Sequence, residues 1–452
     1  MKPAWKPWGL GFALFLLSVT SLGSSVWAQG IQSAAGGLQT SPTSADPMSQ
    51  LWNPATIGLL KGTHIATNLS LIGGWMIFDR KGLDPNTGSP FASSETTGIA
   101  PNLYAAVVTD LGQEDLRFSY ATYFPSGALA DFNPQGSQRY DLISGYLIPW
   151  HHQFSFGFRP AENWSVAVSG ILSLGFFQSE LDVDLGKLMK TFLNAEDVPP
   201  EHPALASRAR VPRTWSPGFG GAIGFVHQPQ PRFSWGASLY TPVYYKFSGQ
   251  LEVTTPEIGS LVGAALPALG IDQRFNSDVS VQTSLPAFIH VGAQYQAFPY
   301  WVQSYFGRYV FSSFQKSLHL KVERSPIQEL NKLEVSGQSP QDSWMLGTIQ
   351  ALPLWKWLTP GFHVSFTRHA TKDRFLSVSR VDFDTLTTGG FVHAQWDQSW
   401  QLGLEYSHSF AFERSTSETS RPTTSTYFTQ PDSSGTYRAG FDRLGVSLRY
   451  AF

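Results

Sequence analysis

Apolar and polar residues alternate with a period of two along much of the chain, most clearly at its end. Leu444, Val446, Leu448, Tyr450 and Phe452 are apolar, whereas Arg443, Gly445, Ser447, Arg449 and Ala451 between them are polar or small. A strand turns alternate side chains to opposite faces, so this segment has one greasy face and one wet face. The same alternation marks Trp400, Leu402, Leu404, Tyr406, Phe410 and Phe412, then Leu116, Phe118 and Tyr120, then Trp164, Val166 and Val168. Soluble sandwiches alternate too. Here the apolar faces are long and end in Trp, Tyr and Phe, as lipid interfaces require. Short turns fall near Leu111–Asp115, Pro160–Asn163, Pro229–Arg232, Phe298–Tyr300, Pro353–Lys356 and Asp397–Ser399. Between them lie long stretches near Arg80–Ile99, Pro125–Gln138, Glu180–Pro217, Glu252–Asn276, Arg324–Asp342, Asp373–Asp384 and Glu413–Gly435. Six short turns and seven long loops predict fourteen strands, with the turn asymmetry of a transmembrane antiparallel β-barrel. The stretch 301–323 alternates poorly, and no solenoid or propeller repeat is present.

Two kinds of segment depart from the strand pattern. Gln29 to Leu60 is rich in Gly, Ser, Ala and Thr and has no period-two face. It reads as a tail or as a plug (hatch) folded into the lumen, with Asn53, Pro54 and Ala55 forming a defined turn that would fix it. Short helices are expected in two outer loops. Leu185, Leu188, Met189, Phe192 and Leu193 recur at helical spacing, as do Ile258, Leu261, Val262, Ala265, Leu266 and Leu269. Their apolar faces would bury against each other as a greasy groove, for which Leu188, Met189, Phe192, Leu193, Leu261, Val262 and Leu266 are the candidates. Loop packing without a ligand is the plainer reading.

Composition narrows the class. Aromatic and charged residues each make up 14% of the chain, and there is no Cys. Soluble domains carry roughly 25% charged residues. Lys2 and Lys6 precede an apolar run from Leu10 to Val19 and then Val26-Trp27-Ala28, the pattern of a secretory leader cleaved after Ala28. The domain reading is therefore 1–28 signal peptide, 29–60 hatch and 61–452 barrel with extracellular loops. Removing the leader's two lysines takes the formal charge from -2 to -4, so no basic surface points to nucleic acid. No stretch is long and apolar enough for a helical span, and only helices and closed sheets satisfy the backbone in lipid.

Ser44-Ala45-Asp46, Asn53-Pro54-Ala55, Phe124-Pro125-Ser126-Gly127, Arg139-Tyr140-Asp141, Gly218 to Val226, Trp235 to Leu239, Leu285-Pro286 with Gly292, and Leu444 to Phe452 together carry a resemblance. The chain resembles the FadL/TodX family of outer-membrane transporters of hydrophobic compounds. That resemblance implies a fourteen-stranded barrel with an N-terminal hatch in a Gram-negative outer membrane. It implies capture of long-chain fatty acids or aromatic hydrocarbons at an outer groove, transfer to a pocket beside the hatch, and sideways exit where the third strand kinks. The third strand, Leu116 to Phe124, departs from the family pattern in lacking a glycine. The expected partners are a hydrophobic small molecule, outer-membrane lipid and lipopolysaccharide, and the barrel-assembly machinery that reads a terminal aromatic such as Phe452. The chain is expected to act as a monomer without a cofactor.

Other chemistry is weaker. Gly218, Gly220, Gly221 and Gly224 lack the helix that a dinucleotide fingerprint needs, and fit a strand that the hatch approaches. His151-His152 has no partner at metal spacing, and His363 and His369 stand too far apart on one strand to share an ion. Asp182 and Asp184 could bridge a cation to lipopolysaccharide, but read more simply as a solvated loop. Arg208, Arg210 and Arg213 could meet a carboxylate or phosphate, yet read as surface charge. Lumen-facing Arg117, Glu405, Arg443 and Arg449 are expected to pair with each other or with the hatch. No Ser–His relay can form between neighbouring strand residues, so catalysis is not expected. The competing readings are a polar porin, which predicts a charged constriction loop, and a structural or adhesive barrel without plug or pocket.

Overall fold

A computed structural model describes residues 40–184, 200–254, 274–314, 319–324, 334–336, 340–373, 376–416 and 433–452. Fourteen antiparallel strands form one closed sheet. They are β1 (Thr63–Arg80), β2 (Ser94–Thr109), β3 (Leu116–Tyr123 and Ala128–Asp131), β4 (Ser144–Ala161), β5 (Trp164–Asp184), β6 (Ala206–Gln230) and β7 (Phe233–Tyr240 and Val243–Thr254). There follow β8 (Arg274–Leu285 and Phe288–Phe298), β9 (Trp301–Val310 and His319–Glu323), β10 (Glu334–Ser336 and Ser343–Ala351), β11 (Leu358–Thr367), β12 (Thr385–Gln395), β13 (Trp400–Ala411 and Arg414–Thr416) and β14 (Gly435–Ala451). The barrel closes where β1 pairs with β14, from His64–Ala451 to Arg80–Gly435.

The six short turns lie where the sequence placed them. Three long connections are shorter than read, because β5 and β6 run on to Asp184 and back from Ala206, β2 starts at Ser94, and β3 resumes at Ala128. The alternation itself has the expected sense. Leu444, Val446 and Leu448 are exposed on the outside, while Arg443 and Ser447 point inward and are buried.

The strands do not keep one phase throughout. In β7, Ser234, Ser238 and Tyr240 are buried below Thr241-Pro242, but Val243, Tyr245 and Phe247 above it. The inward set has moved from even to odd positions. A slip of one residue exchanges the two faces of a strand. Pro242 causes it locally, since Pro cannot donate to a ladder and is excluded from regular central strands. In β8 the change falls at Pro286-Ala287, between Leu285 opposite inward Val243 and Phe288 opposite inward Tyr240, so β7 and β8 stay paired on either side. In β3 it falls in Phe124–Gly127, between inward Tyr123 and inward Ala130.

Where one strand changes phase and its neighbour does not, the ladder stops. β2 keeps Thr96, Asn102, Tyr104 and Val108 buried throughout, and its pairing with β3 ends at Tyr104–Tyr123. The upper piece of β3 pairs with β4, after four residues of β3 are set against three of β4. β6 keeps its even phase (Ala222, Ser216) past the level of Pro242 and changes only between Ser216 and Val211. Its ladder with β7 therefore stops at Ala222–Tyr240 and resumes at Arg210–Glu252. Two gaps in the ladder result, at similar heights on the wall.

Candidate functional site

Residues 40–60 run inside the barrel against the lower halves of its strands. Asp46 caps a 3-10 turn, Pro47–Leu51, by accepting from Met48 N (2.8 Å). Asn53 caps a second, Pro54–Leu59, by accepting from Ala55 N (3.0 Å). Each cap is followed by Pro, whose missing N–H is one that the first turn leaves unpaired anyway. Asn53 Nδ2 donates to Pro42 O (3.0 Å) and to Phe225 O of β6 (2.8 Å). Inward hydroxyls hold the rest: Tyr104 donates to Pro47 O, Tyr240 to Gln50 O, Ser238 to Trp52 O and Ser165 to Ala55 O. Asp46 pairs with Arg449 at 2.8 Å, and Arg117 Nε donates to Leu60 O. Arg443 pairs with Glu405 at 2.7 Å beside this segment.

Trp52 lies at the top of the segment. His290 Nδ1 is 2.6 Å from the Trp52 carbonyl oxygen, and Arg308 Nε is 2.6 Å from His290 Nε2. A carbonyl only accepts and Arg Nε only donates, so Nδ1 carries the imidazole proton and Nε2 is bare. His290 is thereby neutral and holds the guanidinium of Arg308 over the Trp52 ring (5.2 Å) and the Phe288 ring (5.3 Å).

Arg308 faces a cavity between the N-terminal segment and the wall. Leu51 and Trp52 form its floor, and Tyr123, Tyr240, Val243, Leu285 and Phe288 much of its wall. Pro125, Ser126, Thr241 and Pro286, from the breaks in β3, β7 and β8, complete it together with His151. Among the described residues no carboxylate lines it. The cavity shares Ser126, Leu285, Pro286 and Arg308 with a larger chamber above. The roof of that chamber is the β11–β12 loop, whose Leu376, Val378, Val381 and Phe383 pack on Met76, Phe78, Phe132 and Phe441. Arg414 braces the loop through Asp382 (3.0 Å) and Asp373 (2.5 Å). An inward loop is thus present; its packed side is apolar, and Arg368, His369 and Asp382 line the chamber below it.

The sequence candidates fare unevenly. Asn53, Pro54 and Ala55 lie together, buried against β5 and β6. The groove residues Leu188, Met189, Phe192, Leu193, Leu261, Val262 and Leu266, and with them the outer-loop helices, lie outside the described residues. Of the four glycines in β6, Gly224 admits Asn53 and Pro54, whereas Gly218 and Gly220 admit Val243 of β7, and Gly218 also Tyr245. His151 and His152 point to opposite faces, the first to Ser173 Oγ (2.8 Å) and the second to Tyr120 OH (2.8 Å). His363 is buried, but His369 has left the strand and bonds Asp384 (2.6 Å), so the two do not share a strand face. Asp182 is buried between Arg208 (2.6 Å) and Arg139 (3.7 Å), not solvated. Among the described residues no cluster of His, Cys, Asp or Glu could hold a metal ion. His290 and Arg308 escaped the sequence reading, since 301–323 alternates poorly and a lone Arg on a strand carries no motif; Trp52 was legible only as part of the turn with Asn53, Pro54 and Ala55.

The sequence profile of the outer membrane protein transport proteins (OMPP1/FadL/TodX) matches residues 21–349. The chain belongs to this FadL/TodX family. Its structure is similar to that of a Pseudomonas aeruginosa FadL homologue, at 15% identity and TM-score 0.76, covering 95% of this chain and 99% of that one. It is also similar to the Ralstonia pickettii toluene transporter TbuX (15%, TM-score 0.62, 93% and 97% covered) and the P. putida toluene transporter TodX (13%, TM-score 0.65, 90% and 95% covered). No curated protein sequence matches it. This FadL-family barrel is an outer-membrane protein, and the transport family to which it belongs is not one of enzymes.

Proposed function

We propose that this FadL-family barrel carries hydrophobic compounds with an anionic head, long-chain fatty acids above all, passively across the outer membrane. The observation that carries the reading is Arg308, a permanent cation set among Trp52, Phe288, Tyr240 and Leu285 on the wall of the cavity. An apolar tail gains roughly 25 cal/mol per Å² on leaving water for such walls, and a carboxylate gains a charge-assisted bond. The similar toluene transporters support hydrophobic cargo as such.

In this reading residues 1–28 are a cleaved leader and 29–60 a hatch, fixed by Asn53, Pro54 and Ala55. Leu188, Met189, Phe192, Leu193, Leu261, Val262 and Leu266 capture cargo from outside. Cargo then leaves sideways where the β2–β3 ladder ends. The break in β3 supports this exit: the glycine missing from Leu116–Phe124 is supplied just beyond it by Gly127, two residues after Pro125. The protein has no catalytic role in this scheme and acts as a monomer.

Equilibrium binding of a labelled long-chain fatty acid and of toluene to detergent-purified protein tests it. Arg308→Leu should weaken the fatty acid by about tenfold to a hundredfold, the value of a charge-assisted hydrogen bond, and leave toluene nearly unchanged. Equal effects on both would reject the anionic head. Lipophilic molecules that co-purify, identified by mass spectrometry, should then be mainly carboxylic acids.

A further inference from the structure

We propose that the seam between β6 and β7 is a second lateral port, joining the Arg308 cavity to the outer face of the wall. This inference rests on the carriage of apolar compounds proposed above, and it concerns a different part of the wall from the β2–β3 exit. Across the seam the two strands stay at ladder distance in register count, since Ala222–Tyr240 and Arg210–Glu252 belong to one alignment. Between them only one main-chain bond crosses at the lower edge, Thr241 N to Gly221 O (2.9 Å), and no regular pairing follows because the two phases differ.

What replaces the ladder is loosely held. Ser216 Oγ accepts from Lys246 N (3.0 Å), Thr214 Oγ1 donates to Ser248 O (2.8 Å), and Thr241 Oγ1 accepts from Gly221 N (2.8 Å). These three are side-chain bonds that a rotamer change can release; the main-chain bond from Thr241 N to Gly221 O marks the lower edge of the seam. Pro212, Pro217 and Pro242 have no N–H with which to rebuild a ladder.

The seam is closed by a stopper rather than by backbone. Val243 and Tyr245 pass beneath β6 into space left by Gly218, where a Cβ would meet Val243 Cγ1 at 2.7 Å and Tyr245 Cε1 at 2.8 Å. Gly175 of β5 leaves the same room for Tyr245 and Phe247. Tyr245 is anchored by one hydroxyl contact, Ser173 Oγ at 2.5 Å. Val243 and Thr241 also line the cavity, so withdrawal of the stopper opens the cavity directly onto the seam. Outside, Trp215, Phe219 and Tyr244 are exposed, with Arg213 and Lys246 beside them. The ladder ends about nine residues above the β6–β7 turn. At about 3.3 Å per residue and a tilt of about 40°, that is close to the top of the roughly 25 Å apolar band. Aromatics with cations at that level suit a molecule with an apolar tail and an anionic head. The port is passive and conducts in either direction.

A disulfide can lock it. Thr214 Cβ lies 3.8 Å from where Gly249 would carry a Cβ, the usual separation in a disulfide, and the chain has no Cys of its own. The full-length Thr214→Cys/Gly249→Cys protein is placed in lipid vesicles and uptake of a fluorescent long-chain fatty acid is measured, oxidised and after reduction. Uptake should drop several-fold when oxidised and recover on reduction. The separate variant Tyr245→Ala, which removes the stopper, should raise uptake above that of the parent. If the parent transports while the oxidised lock and Tyr245→Ala both match it, the port is refuted and the transport reading stands. A parent no faster than protein-free vesicles would overturn both.

Discussion

The side chain of Asn53 occupies the place where Gly224 would carry a Cβ, so N-terminal segment and barrel wall interlock there. Gly224→Val should drive Asn53 from its bonds to Pro42 O and Phe225 O, at about 1–3 kcal/mol for each buried group left unpaired. The barrel, closed elsewhere, should still form. Planar-bilayer recordings should show ion current through the variant and little through the parent; a silent variant would show that residues 40–60 do not need this contact to stay in place.

Arg443 and Glu405 form a buried pair between β14 and β13, with 6% and 3% of their side chains exposed. Removing one partner of such a pair strands the other charge, at about 3–5 kcal/mol. Glu405→Leu should therefore lower the temperature at which the barrel loses its folded migration on gels. Glu405→Leu with Arg443→Met should recover much of the loss, because an apolar pair leaves no charge behind.

Asp110 sits in the short β2–β3 turn and accepts from Gly112 N (2.9 Å) and Gly62 N (2.6 Å), tying the turn to the start of β1. The bond from Gly112 and then that from Gly62 hold its carboxyl below the usual value. A depressed folded pKa contributes stability that is present above the unfolded value near 3.9 and is lost as pH falls through the folded value. Protease cutting in the Leu111–Asp115 turn should rise as pH drops below about 4 in the parent. Asp110→Asn should be cut more readily at neutral pH and show no such acid step.

The outer groove offers a further test. Phe192→Asp with Leu266→Asp should slow uptake of an apolar compound by placing carboxylates on a surface meant to bind it, while folded migration stays normal. Unchanged uptake would remove the groove from the pathway.

Period-two alternation with Trp, Tyr and Phe at the ends of the strands, and short turns alternating with long loops, were enough to read fourteen strands, because each lipid-facing position obeys a local rule. Asn53-Pro54-Ala55 was legible as a turn for the same reason: Pro and Asn act on their own backbone. The sequence determined, residue by residue, which side of the wall each regular strand shows to lipid. Tertiary structure alone decided where that rule breaks. Pro242 and Pro286 change phase together and keep their ladder, whereas β3 and β6 change without a matching neighbour and lose it. Whether a slip heals or opens a gap depends on the strand beside it, as does the meeting of Arg308, His290 and Trp52 from distant parts of the chain. No period along one strand records its neighbour's phase.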